Sequence, residues 1–289
     1  MLRRALRLSR RSCSNASTQA KMDSLLKELP AVYKIITDQV KPMWEQMVEH
    51  AGALDLAPLT ILDLASGPGE PACTFAKAFP KALVTATDLT DGMLEQARER
   101  VEQNSLSGQV TVTKMDFTDL SPIPNGTVDL VTCSLGLHIP VDGPAKTLSE
   151  IERVLKPGGT CIATIWEELT MFDVCKPTML DVTGVPFEFP IDPLAWAGGR
   201  IDPLCAEAGL VPAVGHNALV PIRFNMGLPA GDFAFKAGMI MVLPKLAEMQ
   251  KIDEAKARYA EHALAQVKGN DDLVFEQLYR VLVLKKPEA

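Results

Sequence analysis

The chain has 289 residues, of which 47% are hydrophobic, and a formal net charge of −7 at pH 7. This length allows a substantial core and exceeds that of a minimal sheet domain, so we expect insertions. An acidic chain is a poor partner for nucleic acid, whose phosphates attract positively charged surfaces. No apolar run approaches the roughly 18 residues of a membrane span, which predicts no integral membrane segment. Six cysteines without a Cys-x-x-Cys pair, and no histidines at zinc spacing, indicate reduced core side chains and no metal site.

The first twenty residues carry five arginines and no acidic residue. On a helix Leu2 and Leu6 share a face opposite to much of the arginine, a pattern typical of an organelle transit peptide. We therefore predict a transit peptide over residues 1–20, with mitochondria as the destination and plastids as the alternative. A disordered basic tail is the other interpretation. Without this segment the net charge is about −12, because five positive charges are removed from −7.

Residues 61–70 read Ile-Leu-Asp-Leu-Ala-Ser-Gly-Pro-Gly-Glu, which predicts a buried strand followed by a glycine turn that opens a helix. Such a junction is where an α/β protein binds a nucleotide-like ligand. Gly67 and Gly69 can adopt backbone angles that other residues avoid, and Asp63 places a carboxylate at the end of the strand. The same stretch also satisfies the dinucleotide pattern G-x-G-x-x-G/A, with Asp88 at the distance of a ribose-binding acid. This motif alone leaves two classes of cofactor open.

Further apolar, β-branched runs predict four more strands, at 83–88, 110–115, 128–134 and 160–166. Helical patterns separate them. One helix begins at Thr90 or Asp91, and another stops at the Lys-Pro-Gly-Gly sequence of residues 156–159. Five strands that alternate with helices imply a parallel sheet with right-handed crossovers.

Polar residues follow the predicted strands where a ligand would bind. Asp88 ends the second strand and suits a bidentate hydrogen bond to a ribose diol. Asp116 and Phe117 end the third and could contact the amine and the ring face of an adenine. His138 follows the fourth strand, and because an imidazole titrates near neutral pH it is our candidate general base. A packed or capping role is the alternative for this histidine.

Beyond the fifth strand the pattern is less regular. Aromatic residues among prolines and glycines in 167–199 predict an apolar segment on the substrate side. A helix over 200–209 precedes a sixth strand at 211–214, and the last strand is predicted at 278–284. Between them, residues 231–267 carry helical patterns that indicate an insertion, whose apolar residues are more often core than pocket lining.

These residues resemble the class I S-adenosylmethionine-dependent methyltransferases, in the small-molecule branch that includes the ubiquinone and menaquinone C-methyltransferases (type 11 methyltransferase domain). The resemblance covers about residues 31–166. Its most discriminating mark is a helix that ends in Leu-Lys-Pro-Gly-Gly before strand five, which is habitual in that family and not in dehydrogenases. One departure is Ala65, where the family often has glycine. The motifs that carry the resemblance lie at residues 62–69, 88, 93–94, 116–117, 128–131 and 150–159.

The resemblance implies an α/β fold with a Rossmann-like seven-stranded sheet, mostly parallel with an antiparallel last strand, helices on both faces and a helical insertion near the C-terminus. It implies a methyltransferase domain over 21–289, with a cofactor half at 58–166 and substrate-side segments at 21–57, 167–200 and 225–272. It also implies S-adenosylmethionine as the cofactor. The residues that we predict to bind it are Asp63, Ala65, Gly67, Gly69, Asp88, Leu89, Met93, Asp116, Phe117 and Ser134.

Two features narrow the predicted methyl acceptor. After strand four the chain has neither an Asn/Asp-Pro-Pro-Tyr/Phe motif nor a Pro-Cys nucleophile, which argues against amino methylation of adenine or glutamine and against cytosine C5 chemistry. We therefore expect a small-molecule acceptor that receives the methyl group on carbon, oxygen, nitrogen or sulfur.

Two other classes of function stay open from the sequence. One is an NAD-dependent Rossmann oxidoreductase, and the other is a methyltransferase-like assembly or binding protein without turnover. Strand order separates the oxidoreductase from the methyltransferase, since the methyltransferase sheet should end in an antiparallel strand.

Overall fold

The computed structural model describes residues 39–53, 60–140, 143–186, 192–213, 218–239, 242–267 and 271–288. The predicted transit peptide over 1–20 lies outside the described residues. The chain divides into two compact units. We call the described residues within 40–169, 193–222 and 277–288 the sheet unit, and residue 39 with the described residues within 170–192 and 223–276 the helical unit.

An eight-stranded sheet organises the fold. Its strands are β1 Thr60–Asp63, β2 Leu83–Asp88, β3 Val110–Lys114, β4 Val128–Ser134, β5 Leu155–Leu169, β6 Val211–Pro212, β7 Ala218–Asn225 and β8 Val274–Lys285. The spatial order is β3-β2-β1-β4-β5-β8-β6, and β7 pairs with β8. Strands β1 to β5 are parallel, whereas β8 runs antiparallel to β5. The mostly parallel sheet with an antiparallel last strand is therefore confirmed.

Three details of the sheet differ from the sequence prediction. Residues 218–225 form β7, which the pattern did not single out because it contains Pro221, a residue that interior strands rarely hold. Strand β6 is shorter than predicted and ends at Pro212. Strand β5 begins at Leu155 rather than residue 160, so the Lys-Pro-Gly-Gly sequence belongs to the strand, and its pairing with β4 shifts register between Val128 and Leu130.

Nine helices are described in these residues. Those of the sheet unit are α1 Lys41–Ala53, α2 Ala72–Ala78, α3 Asp91–Gln103, α4 Ala145–Val154 and α6 Asp202–Glu207. Those of the helical unit are α5 Phe172–Thr183, α7 Asp232–Gly238, α8 Leu243–Glu248 and α9 Ile252–Leu264. The predicted helical insertion before the last strand is thus present as α7, α8 and α9. Within the helical unit α9 packs against α5.

Helices cover both faces of the sheet. One face holds an apolar cluster with α4 and α6, which includes Val131, Cys133, Leu148, Ile151, Cys161, Ala163 and Cys205. Because side chains alternate along a strand, Thr164 points to the other face, where it meets Ser134 at 3.2 Å between hydroxyl oxygens. That face carries α1, which packs on β5 and α2. The five described cysteines are buried and free, as predicted for reduced core residues.

No helix among the described residues is long and apolar enough to cross a membrane.

Candidate active site

The loop after β1 has an unusual backbone. Ala65, Gly67 and Gly69 all have positive φ angles, of 52°, 52° and 93°. A Cβ atom at Gly69 would lie 3.2 Å from the Cα atom of Ala97, so glycine lets α3 approach the loop closely. Ala65 adopts the left-handed conformation with a Cβ atom, which is strained for most residues and fits the expectation that the resembled family often has glycine here.

The carboxyl group of Asp63 holds this loop. It is fully buried and accepts hydrogen bonds from the Ser66 hydroxyl, from the Ala72 backbone N–H at 3.1 Å and from the Thr132 hydroxyl at 2.6 Å. Burial raises the pKa of Asp63 to about 7, and the hydrogen bonds from Ser66, Thr132 and Ala72 oppose that rise. We predicted Asp63 as a cofactor residue. In the structure its carboxyl faces protein donors, so it shapes the loop of the predicted cofactor site.

Asp88, at the end of β2, also organises the loop. Its Oδ2 atom accepts a hydrogen bond from the Gly67 backbone N–H at 3.0 Å, and its Oδ1 atom accepts from the Thr90 N–H and hydroxyl, each at 2.9 Å. A carboxylate offers about four acceptor positions. Protein donors occupy three of these positions, which leaves one free. Hydrogen bonds to both ribose hydroxyls therefore require that one hydroxyl shares an acceptor position with a protein donor.

The other predicted adenosine contacts are placed unequally. Leu89 is 40% exposed beside Asp88, so an apolar and a polar group lie side by side and fit an adenine ring and a ribose. Asp116 is exposed, and its Oδ1 atom accepts hydrogen bonds from Thr118. Phe117, by contrast, belongs to the apolar cluster and is only 9% exposed, which leaves little of its ring for adenine. Met93 is likewise buried, at 4% exposure.

A chain of hydrogen bonds joins three elements at the end of β4. The Trp44 indole N–H of α1 donates to the Ser134 hydroxyl at 3.2 Å, and the Thr164 hydroxyl of β5 lies 3.2 Å from the same oxygen. Thr164 also accepts a hydrogen bond from the Leu135 backbone N–H at 3.2 Å. We predicted Ser134 but missed Trp44 and Thr164. A tryptophan in a helix ahead of the first strand, and a threonine within an apolar strand, were the signals that could have identified them.

The loop after β4, which carries His138, contacts the loop after β1. A Cβ atom at Gly136 would lie 2.7 Å from the Cys133 sulfur and 3.0 Å from the Ala65 Cβ atom, so glycine permits this contact. Leu135 has a φ angle of 55°, which turns the chain sharply out of the strand. His138 is partly exposed two residues beyond Gly136. The structure therefore places the candidate base on a loop that adjoins the glycine loop.

Part of this sequence is similar to that of known proteins. Residues 61–159 match a family model described as a methyltransferase domain. A ubiquinone/menaquinone biosynthesis C-methyltransferase from Desulfotalea psychrophila is 33% identical over 141 residues, which are 48% of this chain and 54% of that protein. A demethylmenaquinone methyltransferase from Clavibacter sepedonicus is 41% identical over 102 residues, 35% of this chain and 39% of that protein. The chain thus spans about half the length, or less, of these curated relatives.

Solved structures share the fold. A proposed methyltransferase from Bacillus halodurans superposes with a TM-score of 0.56 at 23% identity, and the match covers 83% of this chain and 98% of that one. The YcgJ protein from Bacillus subtilis gives a TM-score of 0.55 at 17% identity, covering 85% and 99%. At these identities the likeness shows the fold alone.

The raised pKa of Asp63 predicts a pH-dependent stability. The unfolded carboxyl ionises near its usual value of 3.8, whereas the folded one holds its proton up to about pH 7. Its contribution is therefore complete below about pH 4 and is lost as the pH rises through 7. We expect the stability of the parent protein relative to Asp63→Asn, which cannot ionise, to fall by roughly 2 kcal/mol between about pH 5 and pH 7. Urea unfolding of both proteins at the two pH values measures this difference. A difference that is constant, or that grows with pH, would contradict the assignment.

Proposed function

We infer that this chain is an enzyme. Its residues 61–159 would form a class I S-adenosylmethionine-dependent methyltransferase domain, similar to those of the ubiquinone and menaquinone C-methyltransferases. It transfers the methyl group of S-adenosylmethionine to a small-molecule acceptor. The observation that carries this proposal is the sheet, in which the glycine loop and Asp88 lie at the carboxyl edge and the last strand, β8, runs antiparallel to β5.

The same sheet argues against the two alternatives to different degrees. An NAD-dependent oxidoreductase of the Rossmann type is disfavoured, because its sheet would not end in an antiparallel strand. It would also lack the Leu-Lys-Pro-Gly-Gly sequence that here follows α4 and opens β5. A methyltransferase-like binding protein without turnover would share this sheet. Turnover itself therefore separates the enzyme from the binding protein.

S-adenosylmethionine supplies an electrophilic methyl group on a sulfonium, which an acceptor atom displaces in line. The chain contributes alignment and exclusion of water. Asp88 and Leu89 would hold the ribose and the adenine, while Gly67 and Gly69 let the main chain come close to the ligand. Asp63 fixes the loop that bears both glycines.

The packing of helix α1 over the end of β4 supports a small-molecule acceptor. In the sheet unit, Trp44 of α1 lies over the end of this strand, with its indole N–H bonded to Ser134 and only 5% of the residue exposed. Such a cover favours molecules that enter a closed site, where water is excluded from the reacting atoms. After β4 the chain also lacks the motifs of amino methylation of adenine or glutamine and of cytosine C5 methylation, which points the same way.

His138 is our candidate for the group that removes a proton from the acceptor. A phenol, an activated carbon acid or an ammonium must lose a proton to become a nucleophile, whereas a thioether needs no base. His138 lies on the loop that contacts Ala65 through Gly136, next to the predicted cofactor site. A neutral imidazole at this place can accept the proton as the methyl group moves.

The function and the role of His138 are tested together. Methyl-tritiated S-adenosylmethionine and a small-molecule extract should yield a labelled product with the parent protein, which identifies the acceptor. With that acceptor, we expect His138→Ala to lower kcat by about 10²–10⁴, while the affinity for S-adenosylmethionine stays within a few-fold.

The control is His262→Ala, which removes a histidine of the helical unit that lies 2.9 Å from Asp181 and should leave kcat unchanged. No labelled product from any extract, with S-adenosylmethionine still bound, would favour the binding protein. A kcat that stays level between about pH 6 and 9 in both the parent and His138→Ala would show that the acceptor needs no base.

We also propose a mitochondrial location, supported by the five arginines and the absence of acidic residues in the first twenty positions. A fluorescent reporter fused to residues 1–25 should enter mitochondria. A matched fusion in which the five arginines are replaced by glutamine should stay in the cytosol, because the amphipathic positive charge is lost. Entry into plastids would correct the destination, and a cytosolic reporter with the natural sequence would remove the proposal.

A further inference from the structure

The side-chain amide of Gln277, on β8, is buried without a hydrogen-bond partner. The residue is 1% exposed, and neither its Nε2 nor its Oε1 atom bonds to any described residue. Burial of a polar group that has no partner destabilises a folded protein, so native structures contain few such groups and each calls for an explanation. The fully buried Asp63 carboxyl shows the usual case, with three protein donors around it.

The pairing of β8 with β5 places Gln277 at the carboxyl edge of the sheet, where the parallel strands end. Gln277 pairs with Leu169, and Tyr279 pairs with Trp166, near the carboxyl end of β5. Since β8 is antiparallel, its first half lies at the edge where the parallel strands end. Side chains two residues apart share a face, so Gln277 lies on the face of Tyr279, whose hydroxyl donates to the Gln46 side chain of α1 at 2.8 Å.

The same topology separates Gln277 from the predicted cofactor residues. In the sheet order, β4 and β5 lie between β8 and β1. At about 4.8 Å for each step between strands, β8 is roughly 14 Å from the strand that leads into the glycine loop. Asp88, on β2, is one strand farther. Gln277 therefore lies on the side of the sheet from which an acceptor, rather than the cofactor, would be bound.

We propose that Gln277 hydrogen-bonds the methyl acceptor, and that this acceptor is an uncharged molecule with a hydroxyl or carbonyl oxygen on an apolar body. The inference rests on the proposed function. A carboxamide offers donors and an acceptor without a charge, which suits a neutral oxygen. Leu169, Trp166 and Tyr279 beside it are all buried and largely apolar, which suits the body of such a molecule. The nearest positive charge along β8, Arg280, is already bonded to Asp202 at 2.8 Å.

The matched control for Gln277 is Thr160, a second buried polar residue, which lies at the other end of the pairing between β5 and β8. Its hydroxyl is also buried without a partner among the described residues, and it pairs with Lys285 at the far end of β8. Gln277→Met and Thr160→Val each replace an unsatisfied polar group by an apolar one of similar size. Both variants should therefore melt at the same temperature as the parent or higher.

Binding of simple probes distinguishes the two sites. The two probes are 4-methylphenol and 1,4-dimethylbenzene, added to the full chain with S-adenosylhomocysteine. The first has a hydroxyl group, which Gln277 would bond, where the second has a methyl group. We expect ligand-observed NMR titration to show that the parent and Thr160→Val prefer 4-methylphenol by about tenfold, as for one hydrogen bond. Gln277→Met should lose this preference.

Three results would overturn the proposal: a preference kept by Gln277→Met, no preference in the parent, or a lower melting temperature of Gln277→Met, which would show that the amide is paired inside the protein. Calorimetric titration with S-adenosylmethionine is run on all three proteins. If the parent does not bind S-adenosylmethionine, the proposed function itself is wrong. If it does bind, a negative result with the two probes concerns only the role of Gln277.

Discussion

The buried carboxyl group of Asp63 is the constraint on which the rest of the site depends. It lies at the end of β1 and accepts hydrogen bonds from the glycine loop through Ser66, from the start of α2 through Ala72, and from β4 through Thr132. One side chain thus fixes three elements relative to the first strand. This loop also carries Gly67, whose backbone N–H donates a hydrogen bond to Asp88 on β2. The same network therefore positions Asp88, the residue that we predict to bind the ribose.

Polar groups inside the sheet divide according to whether protein partners satisfy them. Asp63, Thr132 and the Trp44–Ser134–Thr164 set are bonded within the chain. They shape the predicted cofactor side of the sheet and the packing of α1 over the end of β4. Gln277 is buried without such a partner, at the edge where an acceptor would enter. A chain that keeps an unsatisfied amide there gives up some stability, which is the usual relation between a binding site and the fold that carries it.

The sequence patterns identified those features that depend on neighbours in the chain. The first five strands were predictable because apolar, β-branched runs end in glycine turns or acids, and Gly67 and Gly69 occupy left-handed backbone where such turns need glycine. Strand β7 was missed because Pro221 weakens its pattern. Trp44, Thr164 and Gln277 were missed because their significance arises from partners, or from a lack of partners, distant in the chain. Phe117 was predicted at the adenine ring, yet packing demand at the end of β3 places it in the apolar cluster.

We propose that the carboxyl edge of this sheet binds S-adenosylmethionine and no dinucleotide. The direct test is isothermal titration calorimetry. S-adenosylmethionine and NAD are each titrated into the parent protein, and S-adenosylmethionine is also titrated into the variant Asp88→Ala. We expect S-adenosylmethionine to bind the parent protein, NAD to give no heat of binding, and Asp88→Ala to weaken the affinity by about 2–3 kcal/mol, the value of charge-assisted hydrogen bonds to a ribose. Binding of NAD without binding of S-adenosylmethionine would show instead that this edge is a dinucleotide site.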